Sequence, residues 1–326
     1  GLLDMVRNPK AYYHRLAEIN ADTMIVPRLP RRAWRSGETA ELMLHLSHFG
    51  AEPVSGASLV WALSGANVPE TTGVIDNLAL KPAQVVTLPR LSLRLPDLPV
   101  PAKVSLQLAL VDEAGAELAR NELVIVIFPQ TAVSPQPIAC TDPNLASALV
   151  AEGYAVTAEP ALTVPLIVTK FDDTTRRLVE QGGHVLFLAE TPEALQTVVP
   201  RLELKARQGT VWSGDWASSF AWYRRDLWAG GIPGNGRFDF TFSSVLPETV
   251  ISSVRTADFR QEVLAGLFVG WLRRPAGIVQ KLPVGDGTLL VSTLRLQENL
   301  GNDPMAGRLF AELLSQLLPT KLPAKT

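Results

Sequence analysis

The sequence predicts a multidomain chain of α and β structure, an antiparallel β-sandwich followed by an α/β domain. Three observations lead there. Residues 23–129 alternate apolar and polar side chains in short runs broken by turns, the period-two signature of half-buried strands. Residues 138–326 instead alternate strand-sized apolar runs with helix-like segments, the texture of a sheet covered by helices. Between them, PQTAVSPQP carries three prolines and few anchoring side chains, so 130–137 reads as a linker.

Bulk properties fit that plan. At 326 residues with 47% hydrophobic side chains, the chain can fill two cores. Its formal net charge is −2, and no basic stripe marks a nucleic-acid surface. Apolar runs such as ELVIVIF are far shorter than the ~20 residues of a membrane span, so no membrane partner is expected. Charged residues through 1–20 exclude a signal peptide there. A cytoplasmic protein is expected, with secretion after leader removal as the alternative. The single cysteine, Cys140, excludes an internal disulfide framework.

The opening segment, GLLDMVRNPKAYYHRLAEIN, predicts a helix over 9–19. Asn8 is placed to cap it and Pro9 to start it, and Tyr12, Tyr13, Leu16 and Ile19 recur at helical spacing. Those aromatic and leucine side chains are expected to pack partly on residues 23–129. Next, Ala40, Leu42, Leu44 and Leu46 alternate with Glu41, Met43, His45 and Ser47. SLVWALSG, QVVTLPRLSLRLP, KVSLQLALVDEAG and AELARNELVIVIFP continue the alternation, and Asp112 to Gly115 read as a hairpin turn. About seven strands in about a hundred residues predict an immunoglobulin-like sandwich.

In the second domain, PIACT and VPLIVTK read as strands, with PNLASALVAEG as the helix after the first. Asp172 and Asp173 open the helix DDTTRRLVEQGG, and Gly182-Gly183 close it. HVLFLAE and GTLLVSTLRL are further buried-type strands, and DPMAGRLFAELLSQLL is a closing amphipathic helix. A doubly wound, flavodoxin-like domain with a parallel sheet follows from this order.

No pattern in the chain carries recognisable catalysis. Cys140 lacks the glycine-flanked elbow and neighbouring base that a nucleophilic thiol needs, so it reads as a buried structural thiol. His45 and His48 project to opposite faces of a strand and bring no carboxylate cluster, so no metal site is expected. GGIPGNG lacks the strand and helix that a phosphate cradle requires and reads as a loop. Asn121-Glu122 matches the acid dipeptide of many retaining glycosidases, but it reads as the start of the last sandwich strand, just after a hairpin, and receives no role. No cofactor is expected.

TVWSGDWASSFAWYRRDLW holds Trp212, Trp216, Trp222 and Trp228, four of the chain's seven tryptophans. Flat rings of this kind stack on sugars, and Asp215 is placed to bond hydroxyls. Packing into a core or interface is the alternative use. The four-residue spacing of Trp212, Trp216 and Phe220 favours one packed face if the stretch is helical.

These segments together resemble glycoside hydrolase family 2, the β-galactosidase and β-glucuronidase family. Gly1, Leu3, Asp4, Arg7, Pro9 and Lys10, then Ala11, Tyr12 and Tyr13, resemble the junction that ends its catalytic barrel. Ser36-Gly37-Glu38 and Val54 through Leu63 look like its following sandwich domain. EVLAGLFVGWLRRPAGIVQKLPVGDGTLLVSTLRL is similar to the class I glutamine amidotransferase-like domain appended to some members. The resemblance implies that residues 1–22 are the remnant of a barrel helix and that the catalytic glutamates lie N-terminal to Gly1. On this reading the chain is an inactive accessory region whose partner is the missing barrel. By analogy with family 42 enzymes, it also implies self-association.

Overall fold

Asp4 organises the first residues. Its carboxylate accepts the backbone N–H groups of Val6 (2.9 Å) and Asn8 (2.8 Å) and the Asn8 side-chain amide (3.0 Å). These bonds hold it below the usual carboxylate range, the Asn8 N–H most of all. The computed structural model describes residues 2–10, 13–130, 137–213, 219–226, 231–255, 257, 259–269 and 275–317. Because Asn8 is spent on the Asp4 turn, it caps no helix, and α1 spans only Arg15–Ile19. That helix buries no side chain. Of the side chains expected to pack partly on residues 23–129, Leu16 is half-buried and Tyr13 exposed; Tyr12 lies outside the described residues.

The chain divides into two units, Gly1–Pro129 and Gln130–Thr326. The first contains two sheets. In one, β3 (Thr39–His48) pairs with β1 (Thr23–Arg28), β6 (Gln84–Thr87) and β7 (Leu91–Arg94). The other has the order β2-β9-β8-β4-β5, made of β2 (Ala33–Arg35), β4 (Val54–Gly65), β5 (Val68–Leu80), β8 (Ala102–Val111) and β9 (Glu117–Phe128). Leu42, Leu44 and Leu46 from the first sheet share one core with Leu59, Leu106, Leu108 and Ile125 from the second. Each fully buried leucine contributes about 2 kcal/mol. The Asp112 turn forms as predicted: its carboxylate takes the N–H groups of Ala114 and Ala116, and Gly115 adopts φ +82°. β5 lies at the sheet edge, where Asn77 is left-handed at φ +59°. Its ladder with β4 shifts register between Val54 and Ala57 and between Ala57 and Leu59.

The second unit opens with β10 (Ile138–Cys140), α2 (Pro143–Ala151), β11 (Val156–Thr157), β12 (Leu166–Val168), α3 (Asp173–Glu180) and β13 (His184–Leu188). It continues with β14 (Leu204–Ala206), β15 (Ser219–Tyr223), β16 (Thr249–Ile251), α4 (Phe259–Glu262) and β17 (Val263–Val269). β18 (Pro275–Val284), β19 (Gly287–Ser292) and α5 (Pro304–Leu317) complete it. β11, β10, β12, β13 and β19 are parallel neighbours in that order. Counted along the chain, these five run 2-1-3-4-5.

The remaining five strands are antiparallel, which corrects the expectation of a wholly parallel sheet. Only Gly285 and Asp286 separate β18 from β19. A parallel crossover needs a dozen residues or more, so so short a link forces a hairpin. β17 and β16 then pair with β18, β15 with β17, and β14 with β16. A Cβ on Gly287 would lie 2.1 Å from the Val179 carbonyl oxygen, and one on Gly285 2.5 Å from that of Glu180. Glycine at both positions lets the hairpin seat on the end of α3.

Two faces of this sheet are covered. Val179 of α3 joins a core with Val185, Phe187, Leu282, Leu289 and Val291. Lys281, which neighbours Leu282 and therefore faces the other way, donates to the Gln316 carbonyl of α5 at 2.6 Å.

Candidate functional site

In a sheet of order 2-1-3-4-5, ligands lodge outside the carboxyl ends of the strands, where the order reverses. Here that point lies between β10 and β12. Asp142, two residues past β10, fills it. One carboxylate oxygen takes the N–H groups of Asn144 and Leu145, both at 3.0 Å, capping α2. The other accepts the Thr169 hydroxyl at 3.1 Å, just past β12. The helix N-terminus that would attract an anion is thus occupied by the chain's own carboxylate.

Cys140 ends β10 and is buried. Burial pushes its thiol up from the ordinary value, and the S–H faces the Asp142 carbonyl at 3.5 Å. A thiol in that setting stays protonated and unreactive at neutral pH. His184 begins β13 and so lies at the opposite end of the strands from Cys140. No nucleophile and base meet at the strand ends among the described residues.

Glu190 follows β13 and is half-buried. Burial raises its carboxyl above the ordinary range, against the opposing hydrogen bond from the Gln297 N–H at 2.6 Å. The Gln297 amide donates to the Leu188 carbonyl at 2.9 Å, and the Thr249 hydroxyl to the Glu190 carbonyl at 2.7 Å. These bonds tie the ends of β13 and β19 together, which is structural work. Sequence reasoning passed over Glu190 because only the fold buries it.

The other sequence candidates resolve simply. His48 is buried, with Nδ1 2.8 Å from the Thr23 hydroxyl and Nε2 2.9 Å from the Glu52 carbonyl, while His45 meets the Thr87 hydroxyl at 3.0 Å. No group of three metal-ligating side chains occurs among the described residues. Asn121 donates to the Ile25 carbonyl and Glu122 accepts the Ser105 hydroxyl, both within β9 rather than at its start. No described helix is long and apolar enough to cross a membrane.

The aromatic stretch behaves differently from its helical reading. Asp215, Trp216 and Trp228 lie outside the described residues. Trp212 is 7% exposed in a turn, its N–H bonded to the Thr210 hydroxyl. Residues 219–223 form β15, so period two replaces period four. Ala221 and Tyr223 point inward, and Tyr223 packs on Phe238 and Phe242. Phe220 and Trp222 point outward beside Phe268 of β17 and Phe259 of α4, with ring centroids 5.3–6.3 Å apart. Phe259 and Phe268 were not singled out from sequence; only the β15–β17 register places them there.

No protein-family model matches the chain, and no curated protein matches it. Among solved structures it is similar to the alkylpurine DNA glycosylase AlkC of Pseudomonas fluorescens, bound to DNA containing an abasic site analog. That match has 13% identity over 36% of this chain and 36% of that one, with a TM-score of 0.26. The sporulation control protein Spo0M of Bacillus subtilis matches at 14% identity over 40% of this chain and 55% of its own, TM-score 0.25. The CARDB domain of the PF1109 protein of Pyrococcus furiosus, in complex with di-metal ions, matches at 14% identity. Those alignments cover 33% of this chain and 92% of that domain, TM-score 0.24. The chain therefore spans about a third of the glycosylase and about half of Spo0M. Likeness at this level assigns neither fold nor function.

Proposed function

We propose that the chain is a non-catalytic accessory region of a glycosidase resembling family 2, an immunoglobulin-like sandwich followed by an amidotransferase-like α/β domain. One observation supports the reading: five parallel strands run 2-1-3-4-5, and at their carboxyl ends the described residues include a buried thiol and a helix-capping Asp142 but no paired nucleophile and base. The chain's work is then to brace a catalytic barrel, shape its rim or mediate contact between subunits. Met5 and Val6, 98% and 68% exposed, offer apolar surface for such a contact.

The test is hydrolysis of chromogenic β-galactosides and β-glucuronides by the purified chain. No turnover above buffer is expected. Turnover lost on mutation of residues within this chain would overturn the reading.

A second reading is favoured by the outward rings of β15 and β17: the α/β unit contacts carbohydrate. Exposed aromatic side chains in a cross-strand pair are what a sugar-stacking surface requires. The helical Trp212, Trp216, Phe220 face is not needed for it.

A further inference from the structure

We propose that the outward face of β15 and β17 binds an acidic oligosaccharide, one carrying uronate carboxylates, stacked on Phe220, Trp222 and Phe268. The proposal rests on the carbohydrate reading above and adds the charge of the ligand. The antiparallel register sets Phe220 opposite Phe268 and Trp222 opposite Gly266. Phe220 is 54% exposed and Phe268 37%, their centroids 5.7 Å apart and their planes 37° from parallel. The Trp222 ring lies down across Gly266, where a Cβ would sit 2.6 Å from the indole. Trp222, half-buried with its indole N–H enclosed, lies 6.3 Å from Phe268, so Phe220 and Phe268 form the open part of a low shelf and Trp222 its inner end. Sugar rings present C–H groups to aromatic faces of this kind.

The margin of the shelf is cationic. Arg237 bridges antiparallel to Trp222 on the other side of β15, and cross-strand partners project to the same face of a sheet. Arg260 follows Phe259, which packs on Trp222 at 5.3 Å. Both arginines are exposed, and neither forms an ion pair among the described residues. Two acids lie nearby: Asp226 is held by Arg224 at 2.7 Å, and Asp239, two residues past Arg237 and opposite Phe220, already accepts the Thr241 N–H at 3.0 Å and the Thr241 hydroxyl. Guanidinium groups recognise carboxylates through paired N–H donors, so the shelf offers stacking and a carboxylate contact together. A purely apolar partner would bury Arg237 without a counter-ion, which is unfavourable. A second copy laid on the same face would bring like charges together.

Titration of trigalacturonate and of uncharged galactotriose against tryptophan fluorescence tests this. Saturable binding of trigalacturonate is expected, about tenfold or more tighter than galactotriose, as a charge-assisted hydrogen bond implies. Phe220→Ala and Phe268→Ala should each weaken it, and Arg237→Gln should remove the preference while keeping the stacking. All three positions are exposed, so matched thermal melts separate a binding loss from a folding loss. Equal binding of the two sugars overturns the acidic ligand and leaves the carbohydrate reading standing. Binding of neither overturns both. Trigalacturonate binding that all three variants retain also overturns the proposal.

Discussion

The indole of Trp222 lies across Gly266, its partner on the neighbouring strand, and Trp61 lies across Gly73 in the same way in the sandwich. A Cβ at Gly266 would meet the Trp222 ring at 2.6 Å and the Ala276 carbonyl oxygen at 2.9 Å. Gly266→Ala should therefore lift the indole and destabilise the unit by about 1–3 kcal/mol, the usual penalty of overpacking. Urea unfolding read by tryptophan emission checks both, since a lifted ring changes its emission maximum.

Asp172 caps α3. Its carboxylate accepts the Thr175 N–H at 2.8 Å and the Thr175 hydroxyl at 2.9 Å, and the N–H bond above all holds it below the usual aspartate value. Asp172→Ala should cost about 1 kcal/mol at neutral pH. Because the folded carboxyl is the stronger acid, its ionic contribution is present above the ordinary aspartate value of 3.8. It fades as pH falls through the lower folded value. The gap between wild type and variant should narrow in that acid range.

Glu190 has the opposite sign. Burial raises its folded carboxyl above the ordinary 4.5, so the fold favours the protonated form. Stability from this group is full below that value and is lost as pH rises through the raised one. Glu190→Gln removes the titration and keeps an oxygen to accept the Gln297 N–H. Relative to wild type, the variant should gain stability over the range from the ordinary 4.5 up through the raised value. Denaturant unfolding at both ends of that range checks the direction.

Glu262 is buried between Arg201, with which it forms an ion pair, and the Gln280 amide at 3.1 Å. Gln280 itself is 2% exposed. Glu262→Ala leaves that amide without this acceptor and should cost about 2–3 kcal/mol. In a Gln280→Leu background the same change should cost less, which a double-mutant cycle would measure.

The sandwich is legible in sequence where a strand carries its own alternation, as β3 does through Leu42, Leu44 and Leu46. β5 does not: its middle residues face solvent on both sides, and pairing with β4 holds it in place. Helices α2 and α3 are legible because Asp142 and Asp172 cap them and side chains repeat on one face. The antiparallel half of the second sheet is harder, since β14 and β16 are three residues long and exist through their partners. Four-residue spacing suggested a helix around Trp212, Trp216 and Phe220, whereas alternation over 219–223 was the signal that matched the fold. Arg237 reaches the Trp222 face through a single bridge, a contact that no local pattern encodes.

The thirteen residues of β5 lie along an outer sheet edge, where another chain could add by cross-β templating. Pro69 withholds one N–H, and Asn77 bends the strand where a flat ladder would have to run. Glu70 and Asp76 add like charge, which a copy stacked in register would double. The irregularities of this strand thus make it a poor template for fibre growth, and they help keep the folded sandwich dispersed.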